Sequence, residues 1–589
     1  MTERFTRWRL PGIAIALLAL ASSGIGIVNR FAYDDRYVIE KNTLVHSLHG
    51  WWRGFAMSYW SAEWGGDGYR PITILAFRIE WAIGHGAPQI FHAANILLYV
   101  VACVLVFALA RTLLPLWAAW LAAAFFAVHP VHVEAVANIV GQSELLVACA
   151  FLAATVAYVR DRMRGELRTR TALLIAVLYA IACFSKEHAI VLPAILIAAE
   201  LTVIDDAAPL RERILRLRPF YLGLVAIAVA FVGARSVVLS DHSLGGFAPF
   251  TPFSTLHISA ADRVLTALGV VPDWIRLLLW PARLSSDYGP PDIDIAQGVS
   301  IGQLPGLLLL VAIVAFAVVL RRRQRVISFG ICFMALTLLP SSNFILPAGI
   351  VLAERTLFLP SVGAMLVVGA LAVLIAEMMR ARATHSRRAP VAAAAFVALM
   401  LALGASRSAS RTKVWYDNDV LLRQTVVDVP RSYHAHYMLG GWEFENKQLR
   451  VGEVELKKAL SLFPYDPYMT FALAEKYGSV GLCAPALPLY KWSRGLNPST
   501  PRTVGYASCL LEAGQYDAAR AEALEVIRTG GDLTMPRRVI FLADSAKAAE
   551  ARHTSDLAHT PVVTAGVPGK PPESMQKAAP QTPGEPPNR

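Results

Sequence analysis

The sequence predicts an all-α protein, a polytopic membrane helix bundle followed by a helical-repeat domain. Of its 589 residues, 55% are hydrophobic and only 17% are charged, whereas a typical soluble domain has about 25% charged residues. Apolar runs long enough to cross a bilayer core of about 30 Å recur up to residue 410. An amphipathic and internally repeated pattern follows them.

We predict about eleven membrane spans in a transmembrane domain, residues 1–410. The first span could instead be an uncleaved signal-like segment. Segment 263–281 contains Asp273 and Arg276, which favours an interfacial or re-entrant helix lying against the outer face. The predicted spans are 10–28, 92–110, 116–134, 143–159, 171–185, 187–204, 220–239, 303–320, 327–340, 357–377 and 391–406.

Arginine blocks predict the orientation of the chain. The net charge of +12 does not indicate nucleic-acid binding, because these arginines lie in short loops, where the positive-inside rule explains them. The N-terminus is then cytoplasmic, and both the long first outer loop, 29–91, and the repeat domain lie outside. An Ala- and Arg-rich chain with few Lys favours a bacterial inner membrane. The blocks lie within 4–9, 160–170, 211–218, 321–325 and 380–388.

The region 411–552 is expected to form about three tetratricopeptide-like repeats on the extracytoplasmic side. Pro464 and Pro467 recur 34 residues later as Pro498 and Pro501, which is the period of this helical pair. Three repeats are near the minimum for a stable stack.

Two further features lie in or after the repeats. Cys483 and Cys509 could form a disulfide if the domain faces an oxidising compartment. The segment 553–589 is rich in Pro, Gly and Ser, and we predict that this tail is disordered.

An acidic pair follows the first span. Asp34 and Asp35 begin the outer loop, and charge held close to a membrane costs free energy unless it has a partner, a cation or a reaction. Adjacent carboxylates also repel, so one could have a raised pKa or both could share a cation. Their side chains need not point the same way.

A histidine-rich segment lies at the end of the third predicted span. His129, His132 and Glu134 are three potential ligands within six residues, but the spacing does not fit the paired histidines of a zinc-protease helix. These side chains could cap helix ends, or they could line an active site with or without a metal.

Two more polar segments are predicted at the same outer level. Lys186 and Glu187 join two spans, and Glu354 and Arg355 precede another. Glu354 and Arg355 could form a mutual ion pair. Alternatively, Arg355 could hold a phosphate, because its planar guanidinium binds two oxygens at once. Together the four segments indicate a shared outer-facing cavity.

In combination these segments resemble the transmembrane and tetratricopeptide-repeat-containing O-mannosyltransferase family. The most specific part is His129-Pro130-Val131-His132 with the following Glu134-Ala135-Val136-Ala137. The chain departs from the family in its short repeat array and in Gln142-Ser143-Glu144, where a Gly-Arg-Ala-Asp-like run is expected, so donor and acceptor specificity stay open. The other matching segments are Tyr33-Asp34-Asp35, Tyr69-Arg70-Pro71-Ile72-Thr73, Ser185-Lys186-Glu187 and Ala353-Glu354-Arg355-Thr356-Leu357-Phe358-Leu359-Pro360-Ser361.

The resemblance implies a GT-C glycosyltransferase that moves a sugar from a polyprenyl-phosphate donor to a protein hydroxyl on the extracytoplasmic face. Asp34 would be the base, and Asp35 would orient it or help to hold a divalent cation. The repeats would hold the polypeptide acceptor. Arg355, Lys186 and Arg70 would bind the donor phosphate, and His129, His132, Glu134, Glu187 and Glu354 would line the cavity or contact a metal or the acceptor.

Two other functions stay open from the sequence. The first is a non-enzymatic membrane scaffold, in which the repeats recruit a partner and the acidic pair is a salt-bridged helix cap near Arg36. The second is a transporter of a lipid-linked sugar, with the polar segments as its route through the membrane.

Overall fold

The computed structural model describes residues 2–60, 67–239, 258–382, 388–496, 503–528 and 533–558. These residues form helices joined by turns and loops, without a strand among them, so the predicted all-α class is confirmed. The helices before the repeats are α1 (Thr2–Ser23), α2 (Pro71–Gly84), α3 (Pro88–Leu113), α4 (Leu116–Ala127), α5 (Val133–Ala137), α6 (Gln142–Arg162), α7 (Thr169–Ser185), α8 (Leu192–Thr202), α9 (Leu210–Arg216), α10 (Arg218–Val238), α11 (Ala260–Leu279), α12 (Leu304–Leu320), α13 (Arg325–Leu338), α14 (Phe358–Arg382) and α15 (Arg388–Thr412).

Prolines mark the starts of many of these helices. A proline fits the first turn because its missing N–H would have no partner inside the helix there. Such prolines lie at the first or second position of α2, α3, α8, α10 and α12, and they are Pro71, Pro88, Pro193, Pro219 and Pro305.

Seven of the described helices are long and apolar enough to cross a membrane, and α4 with the bent segment Pro130–Ala137 would make an eighth span. The protein is therefore an integral membrane protein. Each predicted span coincides with a described helix or helix pair, although some of these helices are short, so the count of about eleven stays a prediction. The seven are Leu10–Val28, Pro88–Leu113, Ile139–Arg162, Arg218–Val238, Ile301–Leu320, Glu354–Arg380 and Val391–Trp415.

Helix α11 covers the segment expected to lie against the outer face. It buries one face, which includes Thr266, Val270 and Trp274, while Asp273 and Arg276 form an ion pair of 3.1 Å at half-exposed positions. This two-sided character fits an interfacial helix. It is not among the helices that could span a membrane by length and composition.

Helices α13 and α14 approach each other closely through glycines. A Cβ atom on Gly330 would lie 2.6 Å from the carbonyl oxygen of Gly363, so any larger residue would push the two backbones apart. Small residues permit such close packing of membrane helices. The contact fixes the start of α14, which follows the segment Glu354–Leu357 that belongs to the candidate site.

The region after α15 also forms helical pairs. Helices α17 and α18 pack through Gly440 and Gly452, since a Cβ on Gly440 would lie 3.0 Å from the carbonyl oxygen of Gly452. The helices are α16 (Asn418–Asp428), α17 (Tyr433–Glu445), α18 (Leu449–Leu462), α19 (Pro467–Ser479), α20 (Cys483–Leu496), α21 (Val504–Glu512), α22 (Tyr516–Arg528) and α23 (Thr534–Ala558).

The chain forms two compact units, one of Met1–Lys476 with Pro488–Thr500 and one of Tyr477–Leu487 with Pro501–Arg589. The first repeat helices, α16 to α18, thus share a unit with the transmembrane helices. The second unit contains the disulfide between Cys483 and Cys509. Helix α23 runs to residue 558, and the rest of the predicted tail, 559–589, lies outside the described residues.

Candidate active site

The acidic pair lies in a tight turn directly after the first span. The N–H of Asp35 donates to the carbonyl of Ala32 at 3.1 Å, and Tyr33 has a left-handed backbone with φ of 56°. A bulky residue rarely adopts this conformation. The N–H of Tyr33 donates to Oδ1 of Asn418 at 2.5 Å, and its ring meets the edge of Trp415 at 6.2 Å between centroids.

The structure gives the two carboxylates different surroundings. Asp35 is fully buried and accepts hydrogen bonds from the backbone N–H groups of Val140 at 2.9 Å and Ala32 at 3.3 Å. Burial raises the pKa of Asp35 to about 8, although these backbone hydrogen bonds act in the opposite direction. Asp35 therefore fastens the loop to the start of α6.

Asp34 is half-buried, and within the described residues its side chain takes part in neither a hydrogen bond nor an ion pair. Burial raises its pKa. The positive charges of Arg355, His434 and Arg70 oppose that rise, and the negative charge of Glu134 adds to it. All four charged groups therefore act on the same carboxylate.

Arg355 is held by Glu134. This glutamate is 1% exposed and accepts a hydrogen bond from the backbone N–H of Arg355 at 2.9 Å, as well as one from its guanidinium. The guanidinium bonds through Nη1. Within the described residues Nε and Nη2 have no acceptor, so this side chain is fixed in place with donors to spare.

The other two predicted phosphate ligands are also paired. Arg70 makes a bidentate contact with Glu187, at 3.2 Å from Nε and 2.9 Å from Nη2. Lys186 is hydrogen-bonded to Glu144, the residue that stands where the sequence departs from the family. His188 lies 3.3 Å from the same glutamate.

Sequence reasoning missed a fourth pair. Nδ1 of His434, on α17, lies 2.8 Å from Oδ1 of Asp287, in the loop before α12. Ser432 donates a second hydrogen bond to Asp287. Burial disfavours the charged imidazole, but the charge of Asp287 outweighs it and raises the pKa of His434. The one signal in the sequence is a polar run, Ser285-Ser286-Asp287, between apolar segments.

The two histidines of the most specific motif have other contacts. His129 accepts the N–H of Val131 at 3.3 Å through Nδ1, and its Nε2 lies 3.0 Å from the carbonyl of Leu278. His132 bonds to Tyr99 at 3.1 Å and to Ser361 at 2.8 Å. All four ring nitrogens are therefore engaged. His129 caps the turn Pro130–His132, whereas His132 bonds to two side-chain hydroxyls, so both the capping role and the active-site role stay predictions.

Glu354 does not pair with Arg355, contrary to the ion pair considered for them. It is 1% exposed and accepts hydrogen bonds from the N–H of Ser285 at 2.6 Å and from the hydroxyl of Tyr288 at 2.5 Å. Neighbouring residues of a tight helical turn point in different directions, so each finds a separate partner. Glu354 therefore fixes the loop that carries Asp287.

No group of three His, Cys, Asp or Glu side chains among the described residues is arranged to hold a metal ion. The divalent cation stays a prediction. The described arrangement is one carboxylate without a counter-ion, Asp34, in the electrostatic field of several cation–carboxylate pairs.

No family model matches the chain. It is 35% identical to protein O-mannosyl-transferase Tmtc2 of Drosophila melanogaster over 44% of this chain and 28% of that protein. It is 28% identical to TMTC4 of Mus musculus over 72% of this chain and 62% of that protein, and 25% identical to TMTC1 of Homo sapiens over 77% and 55%.

The chain spans less than two thirds of the length of each of these relatives. These relatives are animal proteins, and the bacterial origin stays a prediction. The resemblance read from the motifs is confirmed, and the chain is a relative of the transmembrane and tetratricopeptide-repeat-containing O-mannosyltransferases.

Proposed function

We propose that the protein is a membrane glycosyltransferase that moves a sugar from a polyprenyl-phosphate donor to a protein hydroxyl on the extracytoplasmic face, with Asp34 as the base. Mannose is the sugar that the names of the relatives favour. The observation that carries the proposal is the difference between the two carboxylates. The carboxylate of Asp35 is buried and hydrogen-bonded, whereas Asp34 is half-buried and its carboxylate has no hydrogen-bond or ion-pair partner among the described residues.

The reaction is an inverting displacement at the anomeric carbon. The acceptor oxygen bonds to that carbon while its proton passes to Asp34, which must lie within hydrogen-bond reach. The bond from the anomeric carbon to the phosphate oxygen breaks, and its electron pair stays on the lipid phosphate. The base must be ionised to accept the proton, and the positive charge of Arg355 favours the ionised form of Asp34.

Arg355 is the best-placed group to stabilise the leaving phosphate. Glu134 fixes its orientation, and Nε and Nη2 remain as donors for phosphate oxygens. Arg70 and Lys186 would add positive charge, but each also bonds to a glutamate. Their role is therefore expected to be smaller than that of Arg355.

The scaffold alternative explains the acidic pair less well. It requires a salt bridge near Arg36, but Arg36 pairs with Glu40 at 3.4 Å and with Glu445 at 3.1 Å. Burying an unpaired charge costs free energy. A scaffold gives no reason to keep Asp34 without a counter-ion among buried charged groups.

The substitution Asp34→Asn tests the proposal. It keeps the side-chain shape and removes the base, so we expect transfer to fall by about 100-fold or more. Mass spectrometry of glycosylated extracytoplasmic proteins would measure the loss, with the membrane content of the variant checked in parallel. Asp205→Asn, at a position 87% exposed, is the matched control and should retain transfer.

Two results would contradict the proposal. Unchanged glycans with Asp34→Asn would favour the scaffold, particularly if a protein partner is still bound. Movement of a labelled lipid-linked sugar across the membrane, without any acceptor and unaffected by Asp34→Asn, would favour the transporter.

A further inference from the structure

The first repeat helices reach the loop that carries Asp34. The carbonyl of Tyr416, just before α16, accepts the N–H of Arg30 at 2.7 Å. Asn418, the first residue of α16, accepts the N–H of Tyr33 at 2.5 Å. These two contacts bracket the backbone that leads into Asp34, and no helix of the membrane bundle supplies either acceptor.

The contact with Asn418 falls on the strained residue of the loop. Tyr33 has a φ of 56°, which costs a non-glycine residue about 1 kcal/mol or more. Such a conformation persists only where its surroundings impose it. Asn418 is 6% exposed and is held at the start of α16, where the side chain of Asp417 caps the helix by accepting the N–H of Val420.

A small apolar cluster lies under the same turn. It joins Ala32 of the loop to Val133 and Ala137 of α5 and to Trp415 and Leu421 of the repeat region, and all five are buried. Because this cluster combines three separate parts of the chain, it holds the turn, α5 and the start of the repeats together.

The far side of the loop is held by the second repeat helix. Nη1 of Arg36 lies 3.1 Å from Glu445 on α17, and its guanidinium lies over the ring of Trp442, 4.8 Å from the centroid. The turn of Asp34 is therefore fastened to α16 on one side and to α17 on the other.

We propose that the first two helices of the repeat region, α16 and α17, position the base, with Asn418 as the positioning residue. The inference rests on the proposed function of Asp34. It extends the role of the repeats beyond holding the polypeptide, because these two helices are part of the frame of the active site. Asn418 does not touch the substrates; it acts through the backbone of Tyr33 on the direction of the next side chain.

The substitution Asn418→Ala tests this inference. Loss of the acceptor frees Tyr33 to leave the left-handed region, which turns Asp34 away from the acceptor hydroxyl. Misplacement of a reacting group by about 1 Å can cost about 100-fold, so we expect kcat to fall by about 10- to 100-fold. The KM for the donor should change less than about twofold. The substitution removes no contact that holds the donor equally well in the ground state and in the transition state.

The assay uses the full chain in detergent or liposomes, with polyprenyl-phosphate-linked mannose as the donor and an extracytoplasmic protein extract as the acceptor. Asn418→Asp keeps an acceptor for the N–H of Tyr33 and should recover a large part of kcat. Asn446→Ala is the matched control, because Asn446 directly follows α17 and its side chain, among the described residues, donates to the carbonyl of Trp442 and to no other group.

The outcomes separate this inference from the proposed function. If Asp34→Asn is active, the assignment of the base fails. If Asp34→Asn is inactive but Asn418→Ala keeps its kcat, or raises only the KM, the positioning role fails. If Asn418→Ala does not accumulate in membranes, Asn418→Gln is tested instead. It shifts the amide by one carbon, and we expect the same loss of kcat with an unchanged KM.

Discussion

At the residue scale, the acidic pair shows two identical side chains in different surroundings. Tyr33 in the left-handed region turns the chain just before the pair, and adjacent side chains leave the backbone in different directions. Asp35 points into the bundle and accepts two backbone hydrogen bonds. Asp34 stays at the half-buried edge. Burial is the largest cause that raises the pKa of both carboxyls, and it raises that of Asp35 to about 8; the charge of Asp34 is only a small cause of the shift at Asp35.

The buried Asp35 predicts a pH dependence of stability. Its pKa rises from 3.8 to about 8 on folding, chiefly through burial. When the pKa of a carboxyl is higher in the folded than in the unfolded state, its protonation stabilises the folded state. This stabilisation is complete below the unfolded-state pKa and is lost as the pH rises through the folded-state pKa. Relative to Asp35→Asn, the wild type should therefore lose stability between about pH 4 and pH 8.

Thermal unfolding in detergent would measure this difference. The variant should melt lower than the wild type at pH 4 to 5, because the amide nitrogen of Asn cannot accept the second backbone hydrogen bond. The gap should shrink toward pH 8. Asp205→Asn should follow the wild type at every pH. A gap that stays constant across this range would show that Asp35 is ionised throughout.

At the element scale, the loop before α12 connects the membrane bundle to the repeats. The hydroxyl of Ser286 lies 2.5 Å from that of Thr425 on α16, and the carbonyl of Pro290 accepts the N–H of Tyr433 on α17 at 3.2 Å. Glu354 holds the other side of the loop through Ser285. The loop thus brings Asp287 against His434.

The ion pair of Asp287 and His434 predicts that this loop loosens at high pH. The charge of Asp287, with smaller contributions from Asp466 and Asp34, outweighs burial and raises the pKa of His434 above 6.5. A histidine whose pKa is raised in the folded state stabilises that state fully below pH 6.5, and the stabilisation is lost as the pH rises through the folded pKa. Burial opposes ionisation of Asp287, but the charge of His434 lowers the pKa of Asp287 below 3.8. The stabilisation that comes from ionised Asp287 is therefore lost only in strong acid.

Hydrogen exchange of residues 281–298, corrected for the intrinsic effect of pH, would measure the loosening. Exchange should speed up between pH 6 and pH 9 in the wild type and stay level in His434→Gln, whose amide can still donate to Asp287. His436→Gln is the matched control, since His436 on the same helix bonds to Glu455 and to the carbonyl of Pro430. Equal loosening in His434→Gln would rule the pair out as its cause.

The helices could be predicted from the sequence because their signals are local. The length of an apolar run does not depend on its neighbours, and every predicted span falls on a described helix or helix pair. Partner choice is not local. Glu134 and Arg355 are 221 residues apart, and Tyr33 and Asn418 are 385 residues apart. The sequence of one segment therefore does not predict which distant segment it contacts.

The histidine motif shows a second limit of sequence reasoning. A ligand and a capping side chain use the same ring nitrogens, so the sequence alone does not separate the two roles. The contacts of His129 with Leu278 and of His132 with Ser361 come from helices far away in the chain. His434 was missed because it follows an ordinary helix cap, Ser432, in a region where only the repeat pattern was informative.

At the scale of the whole molecule, the cysteines divide as the proposed orientation requires. The four free cysteines lie in the membrane-bundle helices, at buried or half-buried positions. The disulfide of Cys483 and Cys509 lies in the repeat region, and disulfides persist chiefly in oxidising compartments. Such a bond would persist if the repeat region is extracytoplasmic, as the arginine blocks predict.

Trapping thiols in intact cells tests that orientation. After acid quenching and denaturation, a maleimide reagent should label the four free cysteines and should label all six only after reduction. Cys483→Ser should expose one additional thiol without reduction. Closing a loop of 26 residues also stabilises the fold by about 3.5 kcal/mol, so reduction should lower the melting temperature of the wild type but not that of Cys483→Ser. Labelling of six cysteines before reduction would contradict an extracytoplasmic repeat region. It would also contradict transfer to extracytoplasmic acceptors by Asp34, which is fastened to α16 and α17.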